Sequence, residues 1–441
     1  MTRENSNLLL EIIQALFLFS NFVILSYMLR HYIFTLSVLR RNKREDAVKP
    51  ITNSTYEPTV SILIPARNEE HVIGNLLQRM SELTYPLNKI QVIVIDDASS
   101  DHTREIAEKF ARRFPFIEVL HRDKITGGKG KPSALNSALK HSKGEILIIF
   151  DADYYPQRDI VEKLVKEFAD PKVGAVQGRP VVLNESQNYV TRMATLERIG
   201  GFRIDQQARD DLGLIPQFGG TVGGFRKSIL EKKGGFDESM LTEDTDLTFQ
   251  IILEGYKVRY AGDAECYEEA VSTWKAYWRQ RHRWAQGHMQ VCFKHTLNVV
   301  KSKKLSIKEK TDGLLLLFVY FVPVITLFSF ILGTLLVIYY SSQFSITLWL
   351  ILPLSFYSCV GNMAPFYEVG IGAYLDGRKR LQWLVPLLIF AYLFNTAICT
   401  KAFFDVIATK MLRKRQSYWY KTYHAGHGKC YIENQGIRLK R

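Results

Sequence analysis

At 441 residues the chain is too long for one ordinary soluble core, and its mean hydropathy of −0.07 averages two very different compositions. A net charge of +14 is compatible with nucleic acid, anionic lipid or phosphorylated substrates. Its placement argues against nucleic acid: Arg40-Arg41-Asn42-Lys43-Arg44, Lys301-Ser302-Lys303-Lys304, Arg378-Lys379-Arg380 and Arg413-Lys414-Arg415 all flank apolar runs, as cytoplasmic membrane borders do.

The first apolar run, Ile12–Leu29, is longer than the core of a secretory signal and lacks a small-residue cleavage site, so it reads as a retained anchor. From Thr59 short apolar runs alternate with helical stretches, the pattern of βαβ units in a mainly parallel sheet. The predicted strands are Val60–Pro65, Gln91–Asp96, Ile117–His121, Glu145–Phe150 and Val173–Leu183. Helices are predicted over Glu69–Leu83, Asp101–Arg113 and Pro132–Lys140. The next segment reads as mixed helices and loops, ending in a basic aromatic stretch from Trp274 to Lys294 that suits either the membrane surface or a domain edge. Further apolar runs follow at Leu314–Tyr340, Leu348–Val360 and Leu381–Cys399, several of them near the roughly 20 residues a spanning helix needs. The five cysteines are scattered, without zinc spacing or a CxxC pair, and suggest a reducing compartment and no structural metal.

Open α/β sheets bind ligands beyond the carboxyl ends of their strands, which selects Asp96-Asp97 and Asp151-Ala152-Asp153. Asp151 and Asp153 stand two apart after a strand and project from one face, a pairing that suits Mg2+ or Mn2+ bound to a diphosphate. Acidic pairs at this spacing also arise by chance, as Asp244-Thr245-Asp246 illustrates. Asp96 and Asp97 are expected to repel one another unless a ligand or cation uses them, while Ser99, Ser100 or Asp101 caps the following helix. Gly127-Gly128-Lys129-Gly130-Lys131-Pro132-Ser133 offers amides and lysine charge to a phosphate but lacks Walker spacing. Thr242-Glu243-Asp244 opens a helical pattern. On local sequence alone it is a cap, and the helix dipole there would keep Asp244 ionised and able to accept a proton. In Gln280-Arg281-His282-Arg283-Trp284, two guanidinium groups suit diphosphate oxygens and one indole face suits a sugar ring.

In combination and in this order, Asp96-Asp97, Asp151-x-Asp153, Thr-Glu-Asp and Gln-x-x-Arg-Trp resemble the processive branch of the inverting family 2 glycosyltransferases, the cellulose, chitin, hyaluronan and poly-N-acetylglucosamine synthases. Further matches are Ser61 to Glu69 at the first strand and Phe218-Gly219-Gly220-Thr221. The resemblance covers roughly Pro58 to Gln290, with a further touch at Trp419-Tyr420-Lys421-Thr422. It implies an α/β, Rossmann-like GT-A catalytic domain in the cytosol plus α-helical transmembrane segments in the plasma membrane. The implied divisions are an anchor at 1–45, the GT-A domain at 58–272, an amphipathic interface helix at 273–305, transmembrane or interfacial helices at 313–409 and a basic cytoplasmic tail at 410–441.

The resemblance also implies roles. Asp97, with Asp96 beside it, meets the uracil of a UDP-sugar, Lys129 or Lys131 the nucleotide, and Asp151 with Asp153 the ribose side and the Mg2+ or Mn2+. Asp244 is the general base, flanked by Glu243 and Thr242. Gln280 and Arg283 hold the diphosphate, and Trp284 stacks beneath the terminal acceptor sugar. The implied reaction moves N-acetylglucosamine or glucose to a growing polysaccharide with inversion, giving a β-linkage. The alternative is one sugar added to a lipid acceptor, against which the Gln280–Trp284 motif argues. Positive-inside counting leaves one C-terminal segment uncrossed, with Leu348–Tyr374 the candidate because Pro353, Gly361, Pro365, Glu368 and Gly370 interrupt it. So small a membrane part also leaves room for an accessory subunit or a homo-oligomer.

Overall fold

The computed structural model describes residues 3–45, 56–340 and 363–411. Its strands are β1 (Val60–Ala66), β2 (Ile90–Asp97), β3 (Ile117–Arg122), β4 (Ile146–Ile149), β5 (Tyr155–Pro156), β6 (Val173–Val182), β7 (Gly223–Arg226) and β8 (Lys257–Glu268). They form one eight-stranded sheet in the order β3-β2-β1-β4-β7-β6-β8-β5. The first four strands are mutually parallel, as their apolar runs predict, because helices cover both faces. Successive residues alternate between two cores. Ile62, Ile64, Val92 and Val94 meet the helices Ile73–Met80 and Thr103–Arg113, while Leu63, Ile93 and Ile95 meet Lys131–Leu139 and Glu243–Leu253.

The second half of the sheet is mixed: β6 lies at the predicted strand Val173–Leu183, whereas β7 and β8 lie where the sequence reads as helices and loops. β7 runs antiparallel to both β4 and β6, and β6 pairs in parallel with β8. Glycines and charges break the period of β7 and β8, which hides them from pattern reading. Registers in the parallel quartet end Ala66 beside Asp96, so the loops after β1, β2 and β4 share one sheet edge.

Among the described residues three helices are long and apolar enough to cross a membrane: Leu8–Asn42, Ile307–Tyr340 and Lys379–Met411. Their outer faces carry large exposed side chains, Phe22, Phe330 and Phe404 among them. The Leu348–Val360 run and Arg413–Arg415 lie outside the described residues. Within the Leu348–Tyr374 candidate, the helix Ala364–Leu375 packs against the π-helical segment Ile199–Gln206 and the N-terminal helix. Glu368 is buried there with His31 Nδ1 at 2.5 Å, and Asp376 pairs with Arg179. The Glu368 contact ties this segment to the N-terminal helix, and the Asp376 pair, just past Tyr374, ties its end to β6 of the sheet.

The basic aromatic stretch forms the long helix Trp274–Lys301, with Tyr277, Arg281, Ala285, Met289, Cys292 and Val299 among its buried residues. Ala285 and Met289 pack with Cys399, Ala402 and Val406 of the Lys379–Met411 helix, while Val291, Cys292 and Val299 join the sheet core. It is a strut between the sheet domain and the apolar helices.

Candidate functional site

The acidic loop after β4 and the Thr242-Glu243-Asp244 turn converge on one lysine. Lys131 Nζ donates to Asp151 Oδ1 at 2.5 Å and to the Gly220 carbonyl at 2.7 Å. Burial would depress this ammonium, but the carboxylates of Asp151, Glu243 and Asp244 hold it above its ordinary value. The Gly220 backbone, at φ 86°, lies so close to Asp244 that a Cβ there would sit 2.8 Å from Oδ2. Asp244 Oδ1 accepts the Thr245 amide at 2.7 Å. One oxygen is therefore held by the backbone and the other faces the loop that bridges to Asp151. Asp153 shares that loop and is half-buried.

Burial pushes both acidic members of the turn upward. Glu243 reaches about 7 through burial and the neighbouring Asp244 charge, opposed by Lys131 and Arg283. Asp244 is raised by burial and held down by the Thr245 amide, Lys131 and Arg283. Glu243 in the folded protein thus binds a proton that the unfolded chain releases near its ordinary value of about 4.5. Stability from this group is complete at low pH and falls as pH rises through about 7. Glu243→Gln is expected to raise the melting temperature at pH 8 and leave it nearly unchanged at pH 5, measured by thermal unfolding of the full chain in detergent.

Capping does not explain this turn. Thr242 makes no side-chain cap bond, and its buried Oγ1 has no partner among the described residues. Its side chain instead packs on Gly287 of the Trp274–Lys301 helix, where a Cβ would lie 2.5 Å from Thr242 Cγ2. That contact sets the turn against the Gln280–Trp284 segment. Asp246, the second half of the chance acidic pair, is a structural anchor: fully buried, it binds His295 Nε2 at 2.7 Å, Gln250 Nε2 at 2.6 Å and the Lys294 ammonium.

Asp96 and Asp97 do not need a ligand to coexist. Neighbours on a strand point to opposite faces. Asp96 accepts from the Ser99 amide at 3.2 Å and lies 2.7 Å from His121 Nδ1. Asp97 Oδ1 accepts from Arg122 Nη1 at 2.6 Å and from the Gly128 amide at 3.0 Å. The glycine-rich loop is thereby folded over Asp97, with Arg122 also reaching Thr126 and Ser133. Of the two candidate lysines, Lys129 is exposed on this loop and Lys131 enters the acidic cluster. Asp101 Oδ1 takes the Thr103 amide at 3.1 Å, while Ser99 Oγ accepts from the Asn68 amide across the strand ends. Asn68, Ala98 and Val222 all have positive φ along this edge, and for β-branched Val222, at 55°, that is strained backbone.

In the Gln280–Trp284 segment the side chains divide. Gln280 accepts from Arg281 Nη1 at 2.5 Å. Arg283 makes no hydrogen bond or ion pair among the described residues, and its charge acts on Glu243 and Asp244. Arg281 faces away from the acidic cluster's chemistry: it pairs with Glu197 at 2.5 Å and lies 4.3 Å from the Trp284 ring centroid. Arg198 approaches the same indole at 5.4 Å and is held by Glu268, which also accepts from the Tyr154 hydroxyl at 2.5 Å. Trp284 is thus positioned by two guanidinium groups, one of them tied to the residue after Asp153. The sequence reading missed Arg198, Glu197, Glu268, His288 and Gly287. Of these only Gly287, an isolated glycine within a helical pattern, carried a local signal. His288 lies 3.4 Å from Thr245 Oγ1 and packs on Tyr320, and burial lowers it to about 4, so it is neutral at physiological pH.

Comparison with known proteins agrees with this geometry. The profile described as "Glycosyltransferase like family 2" matches residues 58–287, more than half of the chain. A β-monoglucosyldiacylglycerol synthase of Trichormus variabilis is 35% identical over 266 residues, 60% of this chain and 56% of its own length. The poly-β-1,6-N-acetyl-D-glucosamine synthase of Staphylococcus epidermidis is 30% identical over 251 residues, 56% of this chain and 59% of its own. The chain therefore spans less than two thirds of the length of the curated relatives it matches. Among solved structures, the mannosyltransferase PcManGT from Pyrobaculum calidifontis, in complex with GDP-Man and Mn2+, aligns with a TM-score of 0.57 at 24% identity, covering 88% of this chain and 99% of that one. This likeness bears out the expected GT-A fold. With the profile match spanning the sheet, the acidic loops and the Gln280–Trp284 segment, the chain belongs to the family 2 glycosyltransferases.

Proposed function

We propose that this glycosyltransferase is membrane-embedded, with its sheet domain in the cytosol, and transfers N-acetylglucosamine or glucose from a UDP-sugar to a growing polysaccharide with inversion. The observation that carries this reading is the convergence of Lys131, Asp151, Gly220 and Asp244, with the Gln280–Trp284 helix packed onto the same turn through Gly287 and Thr242. Asp244 accepts the acceptor hydroxyl proton. The acceptor oxygen then bonds to the anomeric carbon as the bond to the diphosphate breaks on the opposite face. The leaving diphosphate takes the electron pair, and Gln280 and Arg283 receive it.

Asp151 and Asp153 offer hard oxygen ligands only, and two carboxylates leave the other positions of Mg2+ or Mn2+ to diphosphate oxygens and water, so the residues fit such an ion. When bound it supplies positive charge to the departing diphosphate. Among the described residues no third acidic, histidine or cysteine group joins them. Lys131 is already paired with Asp151 and holds the loop for that role. Asp97 and the glycine-rich loop receive the uracil side, and Trp284 the terminal acceptor sugar.

A second reading, one sugar transferred to a diacylglycerol-type lipid, is favoured by the similarity to the glucosyldiacylglycerol synthase and uses the same donor site. Incubating membranes that contain the full chain with labelled UDP-sugars and Mg2+ or Mn2+ separates the two. A metal-dependent polymer from one donor is the expected product. A lipid-soluble single-sugar adduct selects the second reading, and donor hydrolysis with neither product indicates an absent accessory subunit.

A further inference from the structure

Where the Lys379–Met411 helix begins, Arg192 has no counter-ion among the described residues. Arg192, on the helix Tyr189–Arg198, makes no side-chain hydrogen bond or ion pair among the described residues, and its Nε is buried without a partner. A desolvated guanidinium edge of this kind is unfavourable unless something beyond the protein completes it. Arg192 lines a cavity of about 220 Å³ with Glu185, Arg380, Leu381, Trp383 and Leu384. The one carboxylate there is already shared, since Glu185 lies 3.4 Å from Arg380 and 3.8 Å from Arg378. The cavity therefore carries excess positive charge beside an apolar wall.

Its position indicates what fills it. The 3-10 segment Lys379–Leu387 leads directly into the helix Leu388–Met411, and Trp383 on it is 88% exposed. Tyr189 donates to the Leu387 carbonyl at 2.9 Å, and Trp274 packs on both Tyr189 and Phe394. Tryptophan and tyrosine gathered at the root of an apolar helix mark the headgroup level of a bilayer. We propose that the cavity binds the phosphate of an anionic membrane phospholipid between Arg192 and Arg380, with the upper acyl chain along Trp383 and Leu384. The site is separate from the acidic cluster, and it rests on Lys379–Met411 being a membrane span.

The test places the purified full chain in phosphatidylcholine vesicles doped with brominated phosphatidylcholine or brominated phosphatidylglycerol, whose bromines quench nearby indoles. The Trp383 signal is the difference between wild type and Trp383→Phe. Brominated phosphatidylglycerol is expected to reach half-quenching at a mole fraction lower by about fivefold for each engaged arginine, the factor one basic group contributes at an anionic surface. Arg192→Gln should reduce that preference by about fivefold and leave quenching by brominated phosphatidylcholine intact. Arg192→Lys, which keeps the charge, should retain most of it. Equal quenching by the two lipids, or an unchanged preference in Arg192→Gln, overturns the site while leaving the span in place. Loss of the preference on adding inorganic phosphate overturns the lipid in favour of a free anion, and quenching by neither lipid removes the membrane reading itself.

Discussion

Asp244→Asn is expected to lower sugar transfer by about 10²- to 10⁴-fold, the range that a positioned general base contributes. The substitution isolates proton acceptance because it alters little else. Its carbonyl oxygen can still take the Thr245 amide at Oδ1, and only the group facing Gly220 loses its basicity. Removing a carboxylate whose pKa burial has raised also relieves a desolvated charge beside Glu243, so the variant should melt no lower than the parent at pH 8. Asp246→Asn provides the contrast: it loosens a buried anchor of His295, Lys294 and Gln250, and should lower stability more than it lowers turnover per folded molecule. Turnover is measured with a labelled UDP-sugar in membranes and normalised to folded protein. Near-normal turnover in Asp244→Asn would falsify the assignment of Asp244 as base.

Much of this arrangement is legible in the residues because its parts repeat at short range. Continuous apolar runs mark β1, β2 and β4 since both sheet faces are covered, and the loop that follows each one must then lie at a shared edge. Local reading fails where a residue is explained by a distant partner. Asp97 looks exposed to repulsion until Arg122, on the next strand, is seen to neutralise it. Thr242 looks like a helix cap until Gly287, far along the chain, is found against its methyl group. The guanidinium groups on Trp284 come from Arg281, one turn earlier on the same helix and paired with half-buried Glu197, and from Arg198 on a different helix, fixed by buried Glu268, which no spacing rule links to Trp284. β7 and β8 escape for a related reason, since the packing of the strands beside them supports them where their own pattern does not.

Gly287→Ala is expected to cost about 10²-fold in turnover, the effect of displacing catalytic groups by roughly 1 Å. An added Cβ would lie 2.5 Å from Thr242 Cγ2, 2.7 Å from its Oγ1 and 2.9 Å from its backbone nitrogen. The first two contacts belong to a side chain that is itself packed in place, and the third to backbone, so the helix and the turn must separate. Alanine favours a helix over glycine by about 1 kcal/mol, so the Trp274–Lys301 helix itself is strengthened rather than broken. The loss falls on the distance between Asp244 and the Gln280–Trp284 segment. A double substitution tests that route: adding Thr242→Ala removes the side-chain clash but not the backbone contact, and should recover part of the lost activity. Interaction energies of 0.5–3 kcal/mol are usual for residues in such contact, so a recovery of about threefold or more is the expected signature. Strict additivity of the two substitutions, measured in the same transfer assay, would mean that Gly287 acts by some route other than the spacing between turn and helix.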